Sequence, residues 1–253
     1  MLEARHLVKQ YHGVCALADV SFSLGPSDVL GYLGPNGSGK TTTIGILTGL
    51  VEPTRGQVFL DGVDIRDQLV DYRARLGYVP EEPHLYPYLS GREFLQLVGR
   101  LRGLPEARLN RKIDAFLELF GLATDGDAPM SSYSKGMRQK VLVTAALMHD
   151  PDIVIFDEPM SGLDATAGLV FRHLLGSLAR AGKTVLYSSH ELETVEKICT
   201  RVVVLHEGRV VADDDVARLR ELMKLESLEQ IFAELVFQED PRSVADRIVD
   251  AMG

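Results

Sequence analysis

The residues with the most chemistry in them form one run, Gly34-Pro35-Asn36-Gly37-Ser38-Gly39-Lys40-Thr41. Its glycines let the backbone turn tightly and bring N–H groups against phosphate oxygens. Lys40, directly after the last glycine, can reach the terminal phosphates of a nucleotide, and the Thr41 hydroxyl can ligate Mg²⁺. The run fits the phosphate-loop pattern G-x-x-x-x-G-K-[ST]. A Gly-rich turn without a ligand would look similar over these residues alone, so the flanking elements decide. Val29 to Leu33 reads as a buried strand, and Thr42 to Leu50 as a helix with Ile44, Leu47 and Leu50/Val51 on one face. A helix starting at Lys40 aims its positive end at the phosphates.

A second set of candidates lies far downstream. Asp157-Glu158 follows the apolar run Ile153-Val154-Ile155-Phe156. Such a run predicts a central parallel strand covered on both faces, and carboxylates at its end face the ligand crevice. An aspartate there can organise Mg²⁺, and a glutamate can polarise an attacking water. Ser188-Ser189-His190 ends the next strand, Thr184 to Ser188, so His190 falls on the same edge and could meet the γ-phosphate or the water. Tyr133-Ser134-Lys135-Gly136-Met137 precedes a helix, and Ser134 is either a plain N-cap or part of a second anion site. That site sits away from the core strands, so it could serve a nucleotide on another copy of the chain. Tyr11, before His12-Gly13, could stack on a purine ring or simply fill a turn.

The elements that must hold these residues follow from periodicity. Residues 2–8 read as a strand, and Asp19 to Leu24 alternates as a strand with one wet face. The opening is therefore antiparallel and precedes a parallel core. Gln57 to Asp61 and Leu76 to Val79 read as further strands. Residues 80–89 hold three prolines and cannot be regular; they form a structural loop or a hinge or docking surface. From Ser90 to Asp150 three helical stripes appear (Phe94 to Leu101, Ile113 to Phe120, Val141 to Met148), predicting an inserted helical subdomain. Asp164 caps a helix running to about Arg180, which stops at Gly182. Arg201 to His206 and Arg209 to Ala212 flank Glu207-Gly208 as a hairpin. The last 35 or so residues read as helical. The predicted division is a core of 1–82 and 151–218, a helical signature subdomain of 83–150, and a C-terminal helical tail of 219–253.

Composition narrows the function classes. The chain has 253 residues, 45% hydrophobic and 25% charged, enough for one large α/β domain with a small subdomain. A formal net charge of −9 argues against a chain-wide nucleic-acid footprint. Cys15 and Cys199 stand far apart, which fits a reducing compartment and implies neither a disulfide framework nor zinc. The N-terminus lacks an apolar signal core, and no stretch reaches the ~20 apolar residues of a spanning helix. The chain is expected to be soluble, with any membrane role coming through a partner.

In order, Tyr11, the loop 34–41, residues 80–89, Ser134-Lys135-Gly136, Asp157-Glu158, Ser161-Gly162-Leu163-Asp164 and His190 resemble the ATPase subunit of ATP-binding cassette (ABC) transporters over residues 1 to 215. The resemblance implies an α/β P-loop NTPase fold: a RecA-like parallel core, an N-terminal antiparallel β subdomain and an inserted helical subdomain. It implies ATP and Mg²⁺ as ligands. Residues 34–41, Thr42, Tyr11, Ser134, Lys135, Gly136 and Asp164 would contact nucleotide. Thr41, Glu81 and Asp157 would hold the metal, and Glu158, His190 and Lys40 would be catalytic. It further implies a head-to-tail homodimer enclosing two ATP, each site pairing one chain's phosphate loop with the other's Ser134 and Gly136. The chain would lie in the cytoplasm, peripheral on the inner face of the cell membrane, with a separate permease. Nucleic acid is not expected as a partner.

Two departures from the family pattern matter: the signature here reads Tyr133-Ser134-Lys135-Gly136-Met137, and Glu81 replaces a glutamine. The signature usually reads Leu-Ser-Gly-Gly-Gln, and here Lys135 brings a cation near where a partner's γ-phosphate should lie. Glu81 stands where the family has a Mg²⁺-sensing glutamine. Both variants resemble export-type subunits, in which residues 81–89 would receive a coupling helix of the permease. A GTPase reading lacks its Asn/Thr-Lys-x-Asp motif, since neither Asn36 nor Asn110 begins one. A small-molecule kinase leaves residues 134–136 unexplained. The rival from another class is a soluble ABC-type ATPase acting on DNA or ribosomes, which typically carries two cassettes or long coiled-coil insertions.

Overall fold

The computed structural model describes residues 1–82, 85–236 and 241–252. In chain order the elements are β1 (Leu2–Tyr11), β2 (Val14–Leu24), β3 (Val29–Leu33), α1 (Lys40–Leu47), β4 (Arg55–Leu60), β5 (Val63–Asp64), α2 (Leu69–Ala74) and β6 (Leu76–Val79). There follow α3 (Gly91–Leu101), α4 (Glu106–Leu119), α5 (Lys135–Leu147), β7 (Ile153–Asp157), α6 (Ala165–Arg180), β8 (Thr184–Ser188) and α7 (Leu192–Ile198). The chain ends through β9 (Arg201–His206), β10 (Arg209–Asp215), α8 (Val216–Met223), α9 (Leu228–Val236) and α10 (Pro241–Asp250).

The strands form two sheets. A four-stranded antiparallel sheet runs β2-β1-β4-β5, and a six-stranded sheet runs β10-β9-β3-β8-β7-β6. In the larger sheet β9, β3, β8, β7 and β6 are parallel and only β10 joins antiparallel. The mixed fold is thus α/β, with the antiparallel opening and parallel core that the alternation patterns predict.

Burial explains the central strands. Every residue of β7 is buried. Ile153 and Ile155 pack with Tyr32, Ile44 and Leu17 on one face, while Val154 and Phe156 pack with Phe171 and Val195 on the other. This alternation across a strand covered on both sides is why its sequence reads as an unbroken apolar run. Residues 90–148 carry α3, α4 and α5 around a separate core that includes Leu95, Leu109, Ile113 and Val141. Ser90 starts α3 with a full capping box: its hydroxyl accepts from Glu93 N–H, and the Glu93 carboxylate accepts from Ser90 N–H.

Several boundaries differ from the sequence reading. β1 extends to Tyr11 and β2 begins at Val14, because the two pair as a hairpin through Tyr11↔Val14. Register shifts along β1 break the period of two that marks a strand in sequence. α1 ends at Leu47 rather than Leu50, where Gly49 takes a φ of 68°. α7, unread in the sequence, is a seven-residue helix. Within the tail that reads as helical, Val244 lies outside the residues whose side chains are described, as do Pro83 and His84 of the 80–89 loop. Among the described residues no helix is long and apolar enough to cross a membrane.

Candidate functional site

The parallel register puts the carboxyl ends of four strands side by side. Tyr32 of β3 and Asp157 of β7 both pair with Ser188 of β8, and Val79 of β6 pairs with Phe156. The residues leaving those ends are Gly34, Glu158, Ser189-His190 and Pro80-Glu81. Three of them, Glu81, Glu158 and His190, line a cavity of about 450 Å³ together with Asp157 and with Asn36, Gly37, Gly39, Lys40, Thr41 and Thr42.

The loop's shape follows from close approach. Gly39 is the N-cap of α1 with a φ of 107°. A Cβ there would come 2.6 Å from the Ala16 carbonyl oxygen of β2, so only glycine fits. No side chain caps this helix, which leaves the first-turn N–H groups free for an anion. The Lys40 ammonium donates to the carbonyls of Gly34 at 2.6 Å and Pro35 at 3.2 Å. Thr43 fixes the helix from behind: its hydroxyl donates to Gly39 O at 3.1 Å and accepts from Tyr32 Oη at 3.0 Å.

The carboxylates are set apart by burial. Asp157 is 2% exposed, and burial, reinforced by the negative charges of Glu81 and Glu158, pushes its carboxyl up to about 6. Burial also raises Glu158, against the pull of His190 and Lys40. Glu158 Oε2 meets His190 Nδ1 at 2.8 Å, with the glutamate side chain largely covered and the imidazole largely exposed. Glu158 takes a φ of 46°, and its N–H donates to Ser188 O at 3.0 Å. The strand-end turn is thereby held against β8. Burial lowers the Lys40 ammonium, while the three carboxylates hold its charge on.

Other predicted site residues lie elsewhere. Tyr11 stands at the end of β1, half-exposed, with Lys9 Nζ 4.9 Å from its ring centre, and does not line the cavity. Ala16, which the sequence reading did not single out, does. Ser134 caps α5 by accepting from Met137 N–H at 3.2 Å, and Ser134 and Lys135 are exposed away from the cavity. Asp164 caps α6 by accepting from Ala167 N–H at 2.8 Å. Among the described residues the buried Ser38 hydroxyl finds no hydrogen-bond partner.

The donor set fits its implied ligands. A hydroxyl with one or two carboxylates is the usual protein share of a Mg²⁺ shell, the rest being phosphate oxygens and water. Thr41, Asp157 and Glu81 meet that description around one cavity. Among the described residues no three His, Cys, Asp or Glu side chains converge tightly enough to hold a metal by themselves.

Residues 17–161 match the family model described as "ABC transporter". The chain is 39% identical to the ABC transporter ATP-binding protein NatA of Bacillus subtilis, over 87% of this chain and 89% of that one. It is 38% identical to the Nod factor export ATP-binding protein I of Cupriavidus pinatubonensis, over 84% of this chain and 66% of the relative. Among solved structures it superposes on an ATP-binding subunit of an ABC transporter with a TM-score of 0.87 at 34% identity, covering 93% of this chain and 99% of the other. A cassette solved as a dimer in a post-hydrolysis state with ADP and Pi gives a TM-score of 0.79 at 25% identity, covering 85% and 98%. With a phosphate loop, strand-end carboxylates and histidine around one cavity, this chain belongs to the ABC transporter family and is an ATP-hydrolysing subunit of it.

Proposed function

We propose that the chain powers an exporter, working as an ATP-driven homodimer on a separate membrane permease. One observation carries the dimer: the cavity has a phosphate loop, carboxylates and histidine, yet Ser134 and Lys135 are exposed outside it on another part of the chain. A second copy, head to tail, would bring Ser134 and Gly136 to that cavity. The dimeric cassettes among the structural neighbours support this reading. Export is supported by relatives named for Nod factor export and linearmycin resistance, together with the Glu81 and Lys135 variants.

In this reading the N–H groups of residues 37–42 and the Lys40 ammonium bind the β- and γ-phosphates, and Tyr11 stacks on the base. Mg²⁺, held by Thr41, Asp157 and Glu81, would neutralise charge on the phosphates. Glu158 accepts a proton from the attacking water. Its burial raises its basicity, and the 2.8 Å bond to His190 fixes one carboxylate oxygen so that the other is aimed at the water. As an imidazolium, His190 would also donate its second N–H to the γ-phosphate. The catalytic contribution is positioning and charge stabilisation, as expected for phosphoryl transfer.

The permease would dock beside residues 85–89, where Tyr86 and Tyr88 are exposed. A separate groove of about 720 Å³ is lined by Leu50, Val70, Tyr78 and Leu101, with Arg73 and Arg102 adding positive charge. The test is affinity purification of the tagged chain from its native cells in mild detergent. A stoichiometric multi-span membrane protein supports the transporter reading. A soluble preparation carrying nucleic acid or ribosomal proteins would move the ATPase to the rival class.

A further inference from the structure

Lys135 departs from the family signature, and its ammonium is already engaged within its own chain. Its stem lies along the turn that follows β7. A Cβ on Gly162 would stand 2.8 Å from Lys135 Cγ and 2.9 Å from its Cδ, and one on Gly136 would stand 2.5 Å from Gly162 O. The approach at Gly136 is to backbone and leaves room only for hydrogen, so the start of α5 and the 158–163 turn are in direct backbone contact, with the Lys135 stem packed against Gly162. At the end of the stem, Lys135 Nζ donates to Ser161 Oγ at 2.5 Å. Ser161 closes the turn that bears Glu158, its N–H donating to Glu158 O at 3.2 Å. Glu158 itself sits at positive φ, a conformation that persists only when its surroundings hold it.

We infer that Lys135 is a positioning residue for Glu158, tying the signature helix to the turn that carries the carboxylate in the same chain. The inference rests on the reading of Glu158 as the base and of residues 134–136 as facing a second copy's nucleotide. On that reading the tie has a consequence. Nucleotide bound against one chain's signature is linked, through Lys135 and Ser161, to that chain's own Glu158, which serves the other nucleotide. The two sites of the dimer are then coupled within each chain as well as across the interface.

The test compares Lys135→Met, which keeps the stem and removes the ammonium, with Ser161→Ala, the double variant and Lys135→Arg. In the nucleotide-free protein, hydrogen–deuterium exchange over residues 158–163 should speed up about five- to tenfold in either single variant, the size expected for losing one charge-assisted hydrogen bond near the surface. The double variant should go no further, and Lys135→Arg should restore protection. In steady-state hydrolysis, kcat should fall about fivefold or more with KM within roughly twofold, and the Hill coefficient for ATP should drop toward one. A raised KM in Lys135→Met, with Ser161→Ala silent and exchange unchanged, would overturn the inference and give the ammonium to the nucleotide instead. Should Glu158→Gln keep its turnover, the base assignment fails, while the exchange experiment still decides whether the tie exists.

Discussion

Asp157→Asn should make the nucleotide-free protein more stable while abolishing its hydrolysis. Asp157 is 2% exposed at the end of β7, beside two further carboxylates that line the same cavity. Its carboxyl is displaced from 3.8 to about 6, chiefly by burial and then by Glu81 and Glu158. At about 1.4 kcal/mol per unit, keeping it ionised in the folded chain costs about 3 kcal/mol. The sign is fixed by linkage. Between the ordinary carboxylate range and about 6 the folded chain holds a proton that the unfolded chain has released. Stability therefore falls as pH rises through that window, and the penalty is complete above it. Asparagine mimics the protonated acid in shape and charge. The variant should gain about 2–3 kcal/mol at pH 8, roughly 4–10 °C in melting temperature for a chain of this size. The gain should shrink as pH falls through 6 and vanish near 4. The chain has no tryptophan, so the melt is followed by far-UV circular dichroism or calorimetry. An asparagine variant no more stable than the parent at pH 8, or one whose gain does not depend on pH, would refute the reasoning.

The same carboxylates govern the rate. The value of kcat/KM should fall as pH drops through about 6, where Asp157 takes up its proton, with Glu158 shifted in the same direction; a profile flat from pH 5 to 8 would contradict this. Gly39→Ala should cost about 2 kcal/mol or more in stability and weaken ATP binding, because its φ of 107° and the Ala16 carbonyl leave no place for a methyl group; unchanged melting and nucleotide titration would show that the loop relaxes freely. Truncation after Lys224 removes α9, whose Leu228 and Ile231 are fully buried with Val195 and Cys199. The melting temperature should fall by roughly 6 °C or more, as two large side chains leave the core. Unchanged melting would leave the tail only a role in dimerisation or docking.

Much of the site was legible because its chemistry depends on local spacing. The loop 34–41 is contiguous, and Asp157-Glu158 and Ser188-Ser189-His190 each follow an apolar strand, so strand ends alone bring them to one edge. What the sequence hid is long-range or irregular. Bulges broke the alternation of β1 and shortened its reading by three residues. α7 has Leu192, Val195 and Ile198 at helical spacing, a signal that was present but short. α5 starts at Lys135, several residues before its apolar stripe, because the Ser134 hydroxyl rather than packing sets its first turn. The contact of Lys135 with Ser161 spans 26 positions and depends on two glycines meeting, which no periodicity reports.

The central claim, that two copies enclose ATP with Glu158 as the base, is tested most directly by sedimentation of Glu158→Gln with and without ATP and Mg²⁺, alongside phosphate release. The account predicts retained ATP binding, a mass that doubles only with nucleotide, two ATP per dimer, and turnover reduced by about a hundredfold or more. A chain that stays monomeric with ATP bound, or one that hydrolyses at a near-normal rate, would contradict it.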